Sequence, residues 1–330
     1  MVLPIKIAGV GAYLPERRVT NAELGERLGI PPEWIERASG VRERRYVTAE
    51  TSAGMGAAAA RMALADAGLE LDAVDVIIGA STGMQQAIPC TAALVQRELG
   101  APEGRSACFD VNATCLSFLF ALHNAAHLIA GGAYTTALIY SSEINSPSLN
   151  PNERESAVLF GDAVAAAVIT RAAPGEASGI WQTAFATYSS GAEATEIRGG
   201  GTRHHPNDPT TTPDMHLFHM DGRAIFRQAT VLVDGFLERF FAQIGWERDT
   251  LAAVVPHQAS RHAIEQLTKR YGFREDQVVW DLAERGNCVA ASIPLTLAEA
   301  VNGGRIQRGD RVLLVGTGAG LTLGALALTY

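Results

Sequence analysis

Two stretches of this chain, residues 107–140 and 277–316, are written to one plan, and that repetition restricts the fold more than any other feature. The first runs ACFDV, a loop, Cys115, an apolar helix, Gly131-Gly132 and the strand TALIY. The second runs QVVWDL, a loop, Asn287, an apolar helix, Gly303-Gly304 and the strand RVLLVG. From Cys115 to Gly131 is 16 positions, and from Asn287 to Gly303 is again 16. Self-similarity of this kind is the mark of an internal duplication, in which each unit buries an apolar face against its copy. Two halves are expected, 1–175 and 176–330, with Cys115 and Asn287 at equivalent helix entrances. At 330 residues and 47% hydrophobic, the chain can fill a core of that size without staples.

Elsewhere, short apolar runs such as IKIAGVGA and VDVIIGAST alternate with Ala-rich helical stretches at Ser52–Gly68 and Ala92–Gly100. Near-continuous apolar strands between helices indicate an α/β protein whose strands are covered on both faces. Thr20 and Glu23 form a capping box for a helix that Gly29 closes. Residues 189–215 are polar and dense in Gly, Pro and Thr, which reads as a flap over a site or a loop that meets a partner.

Charge and composition remove several function classes. A formal charge of −8, from 27 Lys+Arg against 35 Asp+Glu, provides no footprint for nucleic acid. Met1–Leu14 has no basic stretch leading into an apolar run, and no segment reaches membrane-spanning length, so a cytoplasmic protein away from membranes is expected. Cys90, Cys108, Cys115 and Cys288 lack CxxC spacing and read as reduced thiols, not as a zinc site or disulfide framework. His123 and His127 stand four apart on a buried helix with no carboxylate nearby, which suits core or interface histidines and no metal. His204, His205, His216 and His219 fall in or beside the polar excursion and read as solvated. Gly316–Gly320 has GxGxG spacing, but the strand LTLGALAL follows it where a dinucleotide site needs a helix.

Three residues carry candidate chemistry. Cys115 precedes the apolar helix LSFLFAL, where unpaired N–H groups and the macrodipole favour thiolate; the plainer role is a small space-filling hydrophobe. His257 follows the strand LAAVV and projects from its carboxyl end, where α/β sheets place their sites; the plainer role is a hydrogen-bonded loop histidine. Asn287 opens a helix, where an N-cap is its ordinary work. Drawn from two duplicated halves, the three can converge on one buried point. A rival nucleophile is Ser81, in the elbow-like Gly79-Ala-Ser-Thr-Gly83 after VDVII, which with His257 would make an α/β-hydrolase.

The segments FDVNATCLSFLFAL, LFGDAVAAAV, VVPHQASRHAIEQL, ERGNCVAASIPLTLAEA and GTGAGLTLGALAL, in this order and spacing, resemble those of β-ketoacyl-ACP synthase III. The likeness runs from the first strand, through PEWIERASGVRERR, to Tyr330. It implies a thiolase-like five-layered αβαβα fold of two duplicated halves with mixed sheets, working as a homodimer. It also implies that Cys115 takes an acyl group from acyl-CoA, and that His257 and Asn287 serve decarboxylation of malonyl-ACP or malonyl-CoA. The oxyanion would be held by Cys115 N–H and the Gly318-Ala319-Gly320 turn, with no metal or redox cofactor. An acyltransferase passing the acyl group to an alcohol or amine keeps the same fold. By the same resemblance Trp34 and Arg154 flank the adenine of CoA. The run Arg37, Arg42, Arg44 and Arg45 suits its phosphates, and Arg261, Lys269, Arg270 and Arg274 suit an acyl carrier protein. The chain departs from the family in placing Arg37 one position early and Arg261-His262 in an altered order. Ile88 and Thr317 stand where aromatic residues bound the acyl pocket, so acyl groups longer than acetyl are expected.

Overall fold

The computed structural model describes residues 2–330; Met1 lies outside the described residues. Its centre is a pair of helices, Ser117–Ala130 and Ser292–Asn302, whose apolar side chains leave almost no exposed surface. Helices apolar on every side must be covered on every side. A sheet lies on each face of the pair: the five-stranded one spans Ile5 to Arg171, the four-stranded one Gly179 to Thr329.

Alternation within the strands builds the remaining layers, because successive side chains point to opposite faces. In Val76–Gly79, Val76 and Ile78 join the central cluster while Ile77 faces helices Ser52–Ala67 and Thr91–Leu99. In Ala253–Pro256, Ala253 and Val255 face the centre while Val254 packs toward helices Gly222–Ile244 and Arg261–Arg270. The result is helix, sheet, helix, sheet, helix, the five layers the resemblance implies. Both sheets are mixed. Val76–Gly79 pairs in parallel with Thr136–Glu143, as Ala253–Pro256 does with Arg311–Gly318. Each of those longer strands then pairs antiparallel with its other neighbour.

The expected helices lie at Asn21–Leu28, Ser52–Ala67 and Thr91–Leu99, each closed by a left-handed glycine. Thr20 accepts from Glu23 N–H as the capping box requires. One expected strand is absent. QVVWDL makes only a parallel bridge between Val278 and Val254, because Val254 N–H reaches Gln277 and Val279 N–H returns to Val254 before the chain turns away. The 189–215 excursion contains a 3-10 turn at Ser189–Ala194 and the strand Thr195–Glu196, which pairs with His219–Met220. Among the described residues no helix is long and apolar enough to cross a membrane.

The duplication is visible in the backbone with a register that differs from the sequence reading. Asn112 Oδ1 accepts from Thr114 N–H, and Asn287 Oδ1 accepts from Val289 N–H. Ala113 N–H donates to Ser117 Oγ, and Cys288 N–H donates to Ser292 Oγ. Thr114 and Val289 hold φ of 51° and 49°, a left-handed conformation costly for residues other than glycine. Thr136–Glu143 and Arg311–Gly318 are both eight residues long. All these pairs stand 175 apart, so Asn287 corresponds to Asn112, and Cys115 corresponds to Ala290. The 16-residue coincidence arises because the second helix has 11 residues against 14 in the first, which brings its closing glycine three positions early.

Candidate active site

Cys115 lies in the 3-10 turn Thr114–Leu116, at the entrance of the first central helix. This turn packs against the end of the strand Arg311–Gly318 from the other half. Thr114 Oγ1 reaches the Ala319 carbonyl at 3.4 Å, and the N–H groups of Cys115 and Ala319 both face the Cys115 sulfur. Two backbone donors around one sulfur are the arrangement an oxyanion hole requires. The glycines are steric requirements: a Cβ on Gly318 would stand 2.7 Å from Thr114 Oγ1. A Cβ on Gly316 would stand 2.7 Å from the His257 Cβ and 3.2 Å from Leu116, so strand, histidine and nucleophile turn meet at this point.

His257 follows Ala253–Pro256, and its N–H bonds Val315 of the neighbouring strand at 2.8 Å. The side chain is 6% exposed, and its Nδ1 has no hydrogen-bond partner among the described residues. Burial lowers its pKa to about 4, so the imidazole is neutral at pH 7 and can donate one N–H. Asn287 is buried beside it: Nδ2 reaches the Ala259 carbonyl at 3.4 Å, and Ala259 N–H donates to the His257 carbonyl. With Oδ1 committed to Val289, the carboxamide presents its NH2 side. The Cys115 and Asn287 turns pack on one another. Thiol, imidazole and carboxamide therefore belong to one cluster of turns between the two sheets.

One electrostatic expectation is overturned. Burial pushes the Cys115 thiol up to about 12, and Glu143 adds in the same direction, against the two N–H groups that favour the thiolate. Loss of water outweighs the helix end, and the resting group is a thiol.

Glu143 is the residue that sequence reasoning missed. It ends the strand Thr136–Glu143, is 1% exposed, and accepts Thr82 N–H at 2.6 Å. The signal was available: a lone acid closes an otherwise uncharged strand, where burial must be compensated by donors.

The outer candidates divide. Trp34 is half-buried against Leu149 and Val158, Arg37 and Arg154 are exposed, and Arg261 covers Gly40, so a Cβ on that glycine would lie 2.6 Å from the Arg261 Cβ. Arg261 thus adjoins the end of the helix Pro32–Ser39 that carries Trp34 and Arg37. The expected basic run is not a phosphate surface. Arg44 is 0% exposed and bonds Asn21 and the Val158 carbonyl, Arg42 pairs with Glu284, and Arg45 bonds the Pro15 and Glu16 carbonyls. Arg37 alone of the four stays exposed without a partner among the described residues. Arg270 and Arg274 are tied to Asp234 and Asp276, leaving Lys269 and Arg261 as the freer basic groups of that surface.

Ser81 does not form a nucleophile elbow, which needs a helix directly after the serine. The chain runs as loop to Cys90, and Ser81 Oγ accepts from Ser142 N–H. His219, expected to be solvated, is half-buried and held 2.6 Å from Glu153. His123 is held by Thr183 at 2.9 Å and packs on His127 and Phe185.

Residues 109–189 match the family described as 3-Oxoacyl-[acyl-carrier-protein (ACP)] synthase III, and residues 241–330 match its C-terminal family. A curated relative from Symbiobacterium thermophilum, beta-ketoacyl-[acyl-carrier-protein] synthase III, is 36% identical over 100% of this chain and 99% of its own. One of the same name from Rhodospirillum centenum is 38% identical over 100% of both. Among solved structures, the 3-oxoacyl-[acyl-carrier-protein] synthase III of Aquifex aeolicus superposes with a TM-score of 0.89 at 33% identity, covering 99% of this chain and 100% of that one. The priming beta-ketosynthase of the R1128 polyketide pathway superposes with 0.90 at 30% identity, covering 98% and 95%.

Proposed function

The chain belongs to the 3-oxoacyl-[acyl-carrier-protein] synthase III family of condensing acyltransferases, and from that premise we propose how its residues share the reaction. Cys115 attacks the thioester carbon of an acyl-CoA; the new S–C bond replaces the bond to CoA, and the thiol proton leaves on the CoA sulfur. Cys115 N–H and Ala319 N–H, in the Gly318–Gly320 turn, hold the transient oxyanion. A malonyl thioester, on carrier protein or CoA, then loses carbon dioxide, and the electron pair of the broken C–C bond moves onto the thioester oxygen. His257, neutral in its dry setting, and the N–H of Asn287 not directed at Ala259 donate to that enolate. Its carbon attacks the acyl-cysteine, a 3-oxoacyl thioester departs, and Cys115 regains a proton. The steps are acyl transfer, loss of carbon dioxide and C–C bond formation, with the last proton on Cys115 taken from solvent, and none of them needs an external oxidant or reductant.

The observation that carries this reading is the meeting of the Cys115 turn with Gly316, Ala319, His257 and Asn287 in one cluster. We assign Trp34, Arg37 and Arg261 to CoA, since they lie in or against the helix Pro32–Ser39, and with them Arg154, on the family resemblance, and we assign Arg261 and Lys269 to the carrier protein. Met84 and Ile88 share one loop and are 63% and 84% exposed, an apolar pair suited to cover by a second copy in a homodimer. With Ile88 and Thr317 at the acyl pocket, groups longer than acetyl fit.

Intact-protein mass spectrometry after exposure to acyl-CoAs of increasing length tests the assignment. The expected result is an adduct of the acyl mass on the wild type, none on Cys115→Ala, and loading of groups beyond acetyl. Loading that persists without Cys115 overturns the nucleophile, and loading of acetyl alone overturns the pocket reading.

A further inference from the structure

The two helix entrances have the same backbone, yet only the first presents its oxyanion hole to substrate in the reaction above. Around Cys115, the end of the strand Arg311–Gly318 brings Ala319 N–H beside Cys115 N–H to make the oxyanion hole. At the counterpart, the turn Val289–Ala291 meets the end of the strand Thr136–Glu143. Here Ala290 N–H takes the place of Cys115 N–H, and Gly318 is replaced by Glu143. The Glu143 carboxyl is fully enclosed: Thr82 N–H donates to it at 2.6 Å, and the N–H groups of Gly83 and Ala290 also face it. A buried acid surrounded by backbone donors is bound in the way a substrate oxygen would be.

We infer that Glu143 is a built-in occupant of a second, symmetry-related oxyanion hole, and a positioning residue for the decarboxylation half of the reaction. From Ala290 it holds the turn in which Val289 N–H orients Asn287. From Thr82 and Gly83 it holds the loop that leads to Ile88. The acylation half uses Cys115 and Ala319 at the other entrance, which Glu143 reaches through its charge and not through a hydrogen bond. The inference rests on the roles proposed above for Cys115 and Asn287.

The test separates the half-reactions. Acyl transfer to Cys115 is timed by intact mass, and carbon dioxide release from malonyl thioester is timed on the pre-acylated enzyme. In Glu143→Ala, carbon dioxide release is expected to fall about tenfold to a hundredfold, the usual result of an ångström-scale misplacement, while acylation stays within about threefold. Glu143→Gln, which keeps one acceptor oxygen, is expected to restore release to within about threefold of wild type. Equal slowing of both steps, no change in Glu143→Ala, or no recovery in Glu143→Gln overturns the inference. If Glu143→Ala does not accumulate as folded protein, Glu143→Asp, with the acceptor drawn back by one methylene, carries the test and must show the same split. A wild type that acylates but releases no carbon dioxide would instead overturn the proposed function.

Discussion

The entrances at Ala113–Ser117 and Cys288–Ser292 repeat the same hydrogen bonds, the same left-handed residue and the same serine cap, and they differ in what fills the space before them. At the first, the facing strand ends in Gly318, whose missing side chain lets it close on Thr114 and bring Ala319 N–H to the Cys115 sulfur. At the second, it ends in Glu143, whose own carboxyl takes up the donors. A duplicated scaffold supplies donors twice, and side-chain volume decides which copy meets substrate. The five-stranded sheet ends its last strand at Arg171 and the four-stranded sheet begins its first at Gly179.

The difference is broken most severely at Asn287. Its counterpart Asn112 makes the same cap to Thr114 N–H, and its Nδ2 goes to the Thr82 carbonyl at 3.1 Å, away from the reaction. Asn287→Ala is expected to lower carbon dioxide release about 10²- to 10³-fold, the usual cost of one donor to a developing oxyanion. Asn112→Ala should remove its two loop bonds, to Thr114 and Thr82, and no donor to the enolate. Carbon dioxide release measured on both variants checks the contrast, and equal losses would mean that Asn287 acts only as a cap.

Much of this was legible in the sequence, for reasons specific to the segments. A buried strand such as Val76–Gly79 is apolar throughout because both faces are covered, and helices closed by Gly29, Gly68 and Gly100 carry their stop signal in one residue. The convergence of Cys115, His257 and Asn287 was readable because each follows a strand or opens a helix. The register was not, since Asn287 stands three positions before the counterpart of Cys115 and its helix closes three positions early, and the two offsets cancel in the spacing to the glycine. Arg44 was misread because a local run of arginines does not reveal that the third faces inward. Its compensating partners, Asn21 and the Val158 carbonyl, come from distant parts of the chain.

A smaller loss is expected from the strands themselves. Gly316 has Ser141 as its counterpart, and the two sites tolerate volume differently. Gly316→Ala places a Cβ 2.7 Å from that of His257, so the imidazole must move, and a loss of up to about 10² in carbon dioxide release follows. Ser141→Ala gives up one buried bond, from Ser141 Oγ to the Ala80 carbonyl at 2.6 Å, and should cost about 1 kcal/mol of stability with activity kept. Kinetics and chemical denaturation on the pair decide it; a Gly316→Ala enzyme as fast as Ser141→Ala would show that His257 has slack.

The last contrast separates the two sites by pH. His257 titrates near 4 in the folded protein against an ordinary 6.5, so between those values the unfolded chain binds a proton that the folded one refuses. Its contribution is whole above pH 6.5 and is lost as pH falls through 4, amounting to about 3 kcal/mol at most. Glu143 has the opposite sign. Burial lifts it to about 8 from an ordinary 4.5, so its contribution is whole below pH 4.5 and is lost as pH rises through 8. His257→Gln should therefore flatten the fall in unfolding free energy between pH 6.5 and 4, and Glu143→Gln should flatten the fall between pH 4.5 and 8. Denaturant melts across both windows read the two slopes. A His257→Gln protein that still loses as much stability on acidification as the wild type would mean that water reaches the imidazole, which removes the physical reason for keeping it neutral beside Cys115.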